Sequence, residues 1–92
     1  MLVVQIFSLD ERGKNVEAGA LFYDGRVITA TPRSTLMQSV LDEPVRDRAT
    51  GGTVTAQSDP IAWLTNLRFH YKSAYLRATE PVQSQETPPV PA

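Results

Sequence analysis

A chain of 92 residues with nine basic and ten acidic side chains has room for one small domain and shows no overall charge bias toward nucleic acid or a membrane surface. Without cysteine, the fold uses neither disulfides nor thiolate metal sites, so an oxidising compartment is neither required nor excluded. No stretch approaches bilayer-spanning length, and the run Met1–Phe7 is too short for a signal-peptide core, with Asp10-Glu11-Arg12 close behind it. The default expectation is a cytoplasmic protein.

Leu2, Val3, Val4, Ile6 and Phe7 predict a strand, with Val4 and Ile6 on one face and Val3 and Phe7 on the other. Apolar residues on both faces point to an inner strand or one covered on its second side. The charged segment Asp10–Lys14 is turn chemistry. The chain then returns through Val16-Glu17-Ala18 and Ala20-Leu21-Phe22-Tyr23. Asp24-Gly25 is the strongest hairpin signal, expected as a type I′ turn. Arg26–Ala30 follows as a third strand with Val27 alternating between Arg26 and Ile28, completing an antiparallel meander.

Thr31-Pro32 reads as a helix start with Thr31 as N-cap, and Thr35 with Gln38 offers a later, capping-box start. Leu36, Met37, Val40 and Leu41 form a short helical stripe that must stop near Glu43, ahead of Pro44. A second hairpin is expected across Gly51-Gly52, pairing the Val45–Thr50 region with a strand Thr53–Gln57 whose Val54 and Ala56 point inward. Ser58-Asp59-Pro60 is the clearest helix start. Trp63, Leu64, Leu67 and Tyr71 then share one helix face. Phe69 and Leu76 fall off that stripe, which predicts a break near residues 70–73 followed by a final strand in which Ala74, Leu76 and Ala78 alternate with Tyr75, Arg77 and Thr79.

Residues 80–92 hold four of the seven prolines, with Val82 and Val90 as the sizeable apolar side chains. Such a segment buries too little apolar surface to offset its ordering entropy and is read as a disordered tail. Its Pro88-Pro89-Val90-Pro91 fits P-x-x-P but has no basic flank. Residues 1–79 form the expected single domain. Its fold class is α+β, an antiparallel sheet of four to six strands packed on one longer amphipathic helix plus one short helix.

His70 is the only histidine, and no serine or carboxylate stands with it in a recognisable catalytic motif. No cluster of ligands suggests a metal, and the glycines form neither a P-loop nor a dinucleotide fingerprint; turn geometry accounts for them. No catalytic residue, cofactor or metal is therefore expected. The candidate binding patch is the basic-aromatic segment containing Arg68, Phe69, His70, Lys72, Tyr75 and Arg77, with no acidic residue between Asp59 and Glu80. Arg33, Arg46 and Arg48 are possible additions that spacing alone does not position. The leading expectation is a non-catalytic interaction module that binds another protein or itself, a homodimer included, using a sheet edge or exposed aromatics. Nucleic-acid binding through residues 68–77 is the alternative.

Overall fold

The computed structural model describes residues 1–71 and 76–83. Seven strands and two helices follow one another as β1 (Leu2–Leu9), β2 (Asn15–Tyr23), β3 (Ile28–Thr31), α1 (Thr35–Asp42), β4 (Val45–Arg46), β5 (Thr53–Val54), α2 (Pro60–His70), β6 (Leu76–Ala78) and β7 (Val82–Gln83). The main sheet is five-stranded and antiparallel, in the order β3-β2-β1-β6, with β7 also paired to β1. The fold is thus α+β, with one longer and one short helix. β1 is the inner strand its two apolar faces predict.

Along one side of β1, β2 runs in register from Leu2 opposite Tyr23 to Ile6 opposite Gly19, then shifts so that Phe7 faces Glu17. Ala18 is the extra residue of this bulge. Along the other side, β6 and β7 follow one another: Ala78 faces Ile6 and Val82 faces Val3. The interruption between them is closed by Thr79, whose N–H donates to the Gln5 carbonyl at 3.0 Å while its Oγ1 accepts the Gln5 N–H at 2.9 Å. The sheet therefore reaches Gln83, past the end of the compositionally defined domain. Residues 84–92, the rest of the expected tail, lie outside the described residues.

The core sits on one face of this sheet. Val4, Ile6 and Leu21 are fully buried there against Met37 and Val40 of α1, Val45 of β4, and Trp63, Leu64 and Leu67 of α2. The expected α2 stripe is the buried one, and Asp59 caps the helix by accepting the Ala62 N–H, with Pro60 in the first turn. Tyr71 ends α2, as the break near residue 70 requires. In β6, Leu76 and Ala78 pack against the core as their alternation predicts.

Several local expectations are corrected. The hairpin after β2 does form, but Asp24-Gly25 is not a type I′ turn, since only Gly25 has positive φ. Instead Asp24 Oδ1 accepts the N–H groups of Arg26 and Val27 at 2.8 and 3.0 Å, an Asx turn that leaves Asp24 in ordinary geometry. These bonds favour the ionised form and hold the Asp24 carboxyl below the usual carboxylate range. The loop spans four residues, so β3 starts at Ile28, and Ile28 and Ala30 rather than Val27 turn toward the core. Val27 is exposed.

The first helix is capped by neither Thr31 nor Thr35. Thr31 belongs to β3, and Ser34 Oγ accepts the Met37 N–H at 3.1 Å. The second hairpin turns through residues 47–52, because Val45 pairs with Val54 and Arg46 with Thr53. Its β5 is only two residues long: Thr55 and Ser58 bond each other's backbone N–H groups and turn the chain into α2.

Gly19 is also not a turn residue. It lies in β2 opposite Ile6, where a Cβ would come within 2.6 Å of the Thr31 carbonyl and 2.8 Å of Met37 Sδ. The absent side chain is what lets α1 seat its buried methionine on the sheet. Gly19→Ala is expected to destabilise the protein by about 2 kcal/mol or more, since the backbone carbonyl cannot yield as a flexible side chain can. A urea titration should show a lowered midpoint at unchanged slope.

Candidate functional site

Two surfaces stand out, on opposite sides of the sheet. The first is built at the end of α2. Asn66 is buried on the packed side of that helix. Its carbonyl accepts the Arg48 N–H at 3.1 Å, while its amide nitrogen donates to Asp47 Oδ1 at 3.3 Å and to the Ala62 carbonyl at 2.8 Å. Asp47 Oδ1 also accepts the Ala49 N–H. Paired this fully, the buried amide and carboxylate stabilise the turn after β4 rather than strain it.

The turn brings the Arg48 guanidinium to 4.3 Å from the Phe69 ring centroid, and Arg68 lies 4.7 Å from the same ring. Both are cation–π distances. Arg46, Arg48, Phe69 and His70 line an open cleft of about 380 Å³. The two arginines of β4 and its turn thus join the basic-aromatic segment, which spacing alone does not reveal.

Carboxylates join it as well. His70 Nε2 lies 3.3 Å from Glu43, and Arg68 lies 3.3 Å from Glu80. The absence of acidic residues along the segment is therefore compensated by the fold. Among the described residues, Arg46 and Arg48 make no ion pair. Of the remaining members of the sequence-defined patch, Arg77 does not join the cleft. Arg77 is paired opposite Phe7 in β6, on the sheet face turned away from the helices, because alternation sends it opposite to Leu76 and Ala78. Lys72 and Tyr75 lie outside the described residues. The signal for Asn66 was present, a polar residue one position from Leu67 on the apolar side of a helix, but its partner Asp47 is nineteen residues away.

The second surface is the bare face of the sheet. Val3, Gln5 and Phe7 of β1 point there, flanked by Phe22, Ala20 and Glu17 of β2 on one side and by Val82 and Arg77 on the other. Both helices pack on the opposite face, and among the described residues no element lies over this one. Val82 is 59% exposed. A shallow depression of about 280 Å³ is lined by Val3, Gln5, Thr79 and Val82.

Among the described residues, no group of three or more His, Asp or Glu side chains is arranged to hold a metal ion, and no helix is long and apolar enough to cross a membrane. Compared with protein-family models, with curated proteins and with solved structures, the chain matches none.

Tyr71 lies beside this cleft, its ring 4.7 Å edge-on from that of His70. Burial, helped by the negative charge of Glu43, pushes its hydroxyl up from the usual value near 10 to about 12. The unfolded chain therefore ionises this tyrosine first, so its contribution to stability is complete below pH 10 and is lost as pH rises toward about 12. Denaturant midpoints measured across that range should fall more steeply for the wild type than for Tyr71→Phe.

Proposed function

We propose that this chain is a small, non-catalytic protein-interaction module whose binding surface is the sheet face turned away from the helices. The observation that supports this most is the grouping of Val3, Phe22 and Val82 in one row across three adjacent strands, with no described element over them. Contiguous apolar surface rimmed by polar side chains is characteristic of interaction sites; Glu17, Thr29 and Arg77 stand at the margins of this face, and Gln5 lies at its centre between Val3 and Phe7. The sheet edge at β3 is a poorer docking place, because a strand of four residues offers few backbone groups for pairing. Catalysis has little support: His70 has a carboxylate neighbour, but among the described residues no hydroxyl is hydrogen-bonded to it, and the chain has no cysteine.

A photo-crosslinking amino acid at position 82 tests the reading against one at position 61, which is 55% exposed on α2. Discrete protein adducts are expected from position 82 in cells and not from position 61. Equal, diffuse labelling from both would sink it.

Nucleic-acid binding is the second reading, favoured by Arg46 and Arg48 standing beside Phe69 and His70. It expects affinity for single-stranded oligonucleotides that falls steeply with salt. Neutralising both arginines as Arg46→Gln/Arg48→Gln should weaken binding and flatten that dependence in fluorescence anisotropy. Oligonucleotide affinity unchanged in the double variant removes this reading.

A further inference from the structure

We infer that the bare sheet face is a homodimer interface, in which two copies pack face to face about a two-fold axis running parallel to β1. The inference rests on the interaction reading above and adds the identity of the partner and the geometry of the contact.

Opposed residues of antiparallel strands point to the same face, so the pairing lays the bare face out in rows. One row reads Phe22, Val3, Val82 across β2, β1 and β7, and another reads Glu17, Phe7, Arg77 across β2, β1 and β6. Apolar groups thus stand at both ends of the first row, and opposite charges at the two ends of the second. Glu17 and Arg77 flank Phe7 at about 10 Å from each other, two strand spacings, and neither makes an ion pair among the described residues.

A two-fold axis along β1, midway between two such faces, lays β1 on β1 and exchanges its flanks. The β2 strand of one copy then lies over the β6–β7 edge of the other. Phe22 meets Val82 of the second copy, Val3 and Phe7 meet their own equivalents, and Glu17 meets Arg77 of the second copy, twice by symmetry. Inclining the axis by about 15° to β1 gives the crossing near 30° usual for aligned sheets and keeps these neighbours for rows so close to the axis. The alternative in-plane axis, running across the strands, sets Phe22 over Glu17 and Val82 over Arg77, with charges on apolar groups and no ion pair formed. The arrangement of charges is thus self-complementary for one axis only, as an isologous contact requires.

The size of the face sets the expected strength. β1 has eight residues, so it is ~26 Å long, and the three strand tracks that overlap about this axis (β2, β1 and β6–β7) are ~14 Å across, a footprint of roughly 370 Å². That is below the roughly 800 Å² per partner of a standard interface, so the dimer is concentration-dependent.

The test is sedimentation of the full chain over a concentration series, with Glu17→Arg and Arg77→Glu. Both sites are exposed, and circular dichroism checks that each variant is folded. The wild type should convert from monomer to dimer as concentration rises. Each single variant sets like charges against each other at both contacts and should weaken dimerisation by roughly tenfold or more. An equimolar mixture of the two variants restores both ion pairs and should dimerise again, as should the double variant Glu17→Arg/Arg77→Glu. Recovery on mixing cannot come from altered folding of either chain.

A wild type that stays monomeric throughout overturns the homodimer, yet leaves the interaction reading standing if position 82 still crosslinks to another protein. Self-association that both single variants retain, or that mixing does not restore, overturns the proposed axis and face. Val82→Asp is an independent probe, expected to dissociate the dimer through loss of the Phe22 contact.

Discussion

The hydrogen bond from the Trp63 indole to the Glu43 carbonyl, 2.7 Å long, organises the helical layer. Trp63 is fully buried, and a buried indole N–H without an acceptor is costly. Glu43 caps α1 at its C-terminal end, where carbonyls lack intrahelical partners. One bond therefore satisfies a donor on α2 and an acceptor at the end of α1, and ties both helices to the same side of the sheet. Gly19 completes the arrangement by letting Met37 approach β2 closely. With both helices held on one face, the other face of β1 is left with Val3 and Phe7 and no described cover.

Charge is distributed differently on the two sides. Near α2, Glu43 and Glu80 approach His70 and Arg68, and Phe69 gathers the guanidiniums of Arg48 and Arg68. Arg68, Phe69 and His70 thereby hold the helix end, the β4 turn and the link between β6 and β7 together. On the bare face, Glu17 and Arg77 stand apart at the two flanks of β1. Exposed ion pairs such as Arg68–Glu80 contribute little to stability, whereas opposite charges held apart across an apolar strip bear on association and its orientation. The two surfaces are therefore chemically separable, one a cleft lined by Arg46, Arg48, Phe69 and His70 and the other an apolar strip with charged margins.

The core is small. Among the described residues, ten apolar side chains are buried in it, and a domain of this size derives limited net stability from burial alone. Covering the bare face would remove Phe7, Phe22 and Val82 from water and stabilise the folded chain by mass action.

The reading of β1, β2 and α2 from the chain was close, because their signals are local: alternation along Leu2–Phe7, and the cap and stripe from Asp59 to Tyr71. The capping of α1 by Ser34, the Asx turn at Asp24 and the six-residue turn after β4 were misread, because several nearby residues offered equivalent local chemistry. The loop after Tyr23 holds four residues rather than two, a shift of two positions that leaves the alternation of β3 intact: opposite Tyr23 and Leu21, Ile28 and Ala30 are inside, while Val27 lies in the loop and is exposed. For the candidate sites, Phe69 and His70 are legible as an off-stripe, basic-aromatic helix end, but Arg46, Arg48 and Glu43 reach them only through chain pairings of long separation, and Asn66 of the same helix finds Asp47 in the same way. Arg77 was grouped with them by proximity in sequence and parted from them by strand alternation. Periodicity and capping determine which segments become helix or strand and which side of each is apolar, since those preferences act within a few residues. Register, and the placing of both helices on a single side, decided that Val3, Phe22 and Val82 share an open row with Glu17 and Arg77 nearby, since those relations exist only once distant strands have paired.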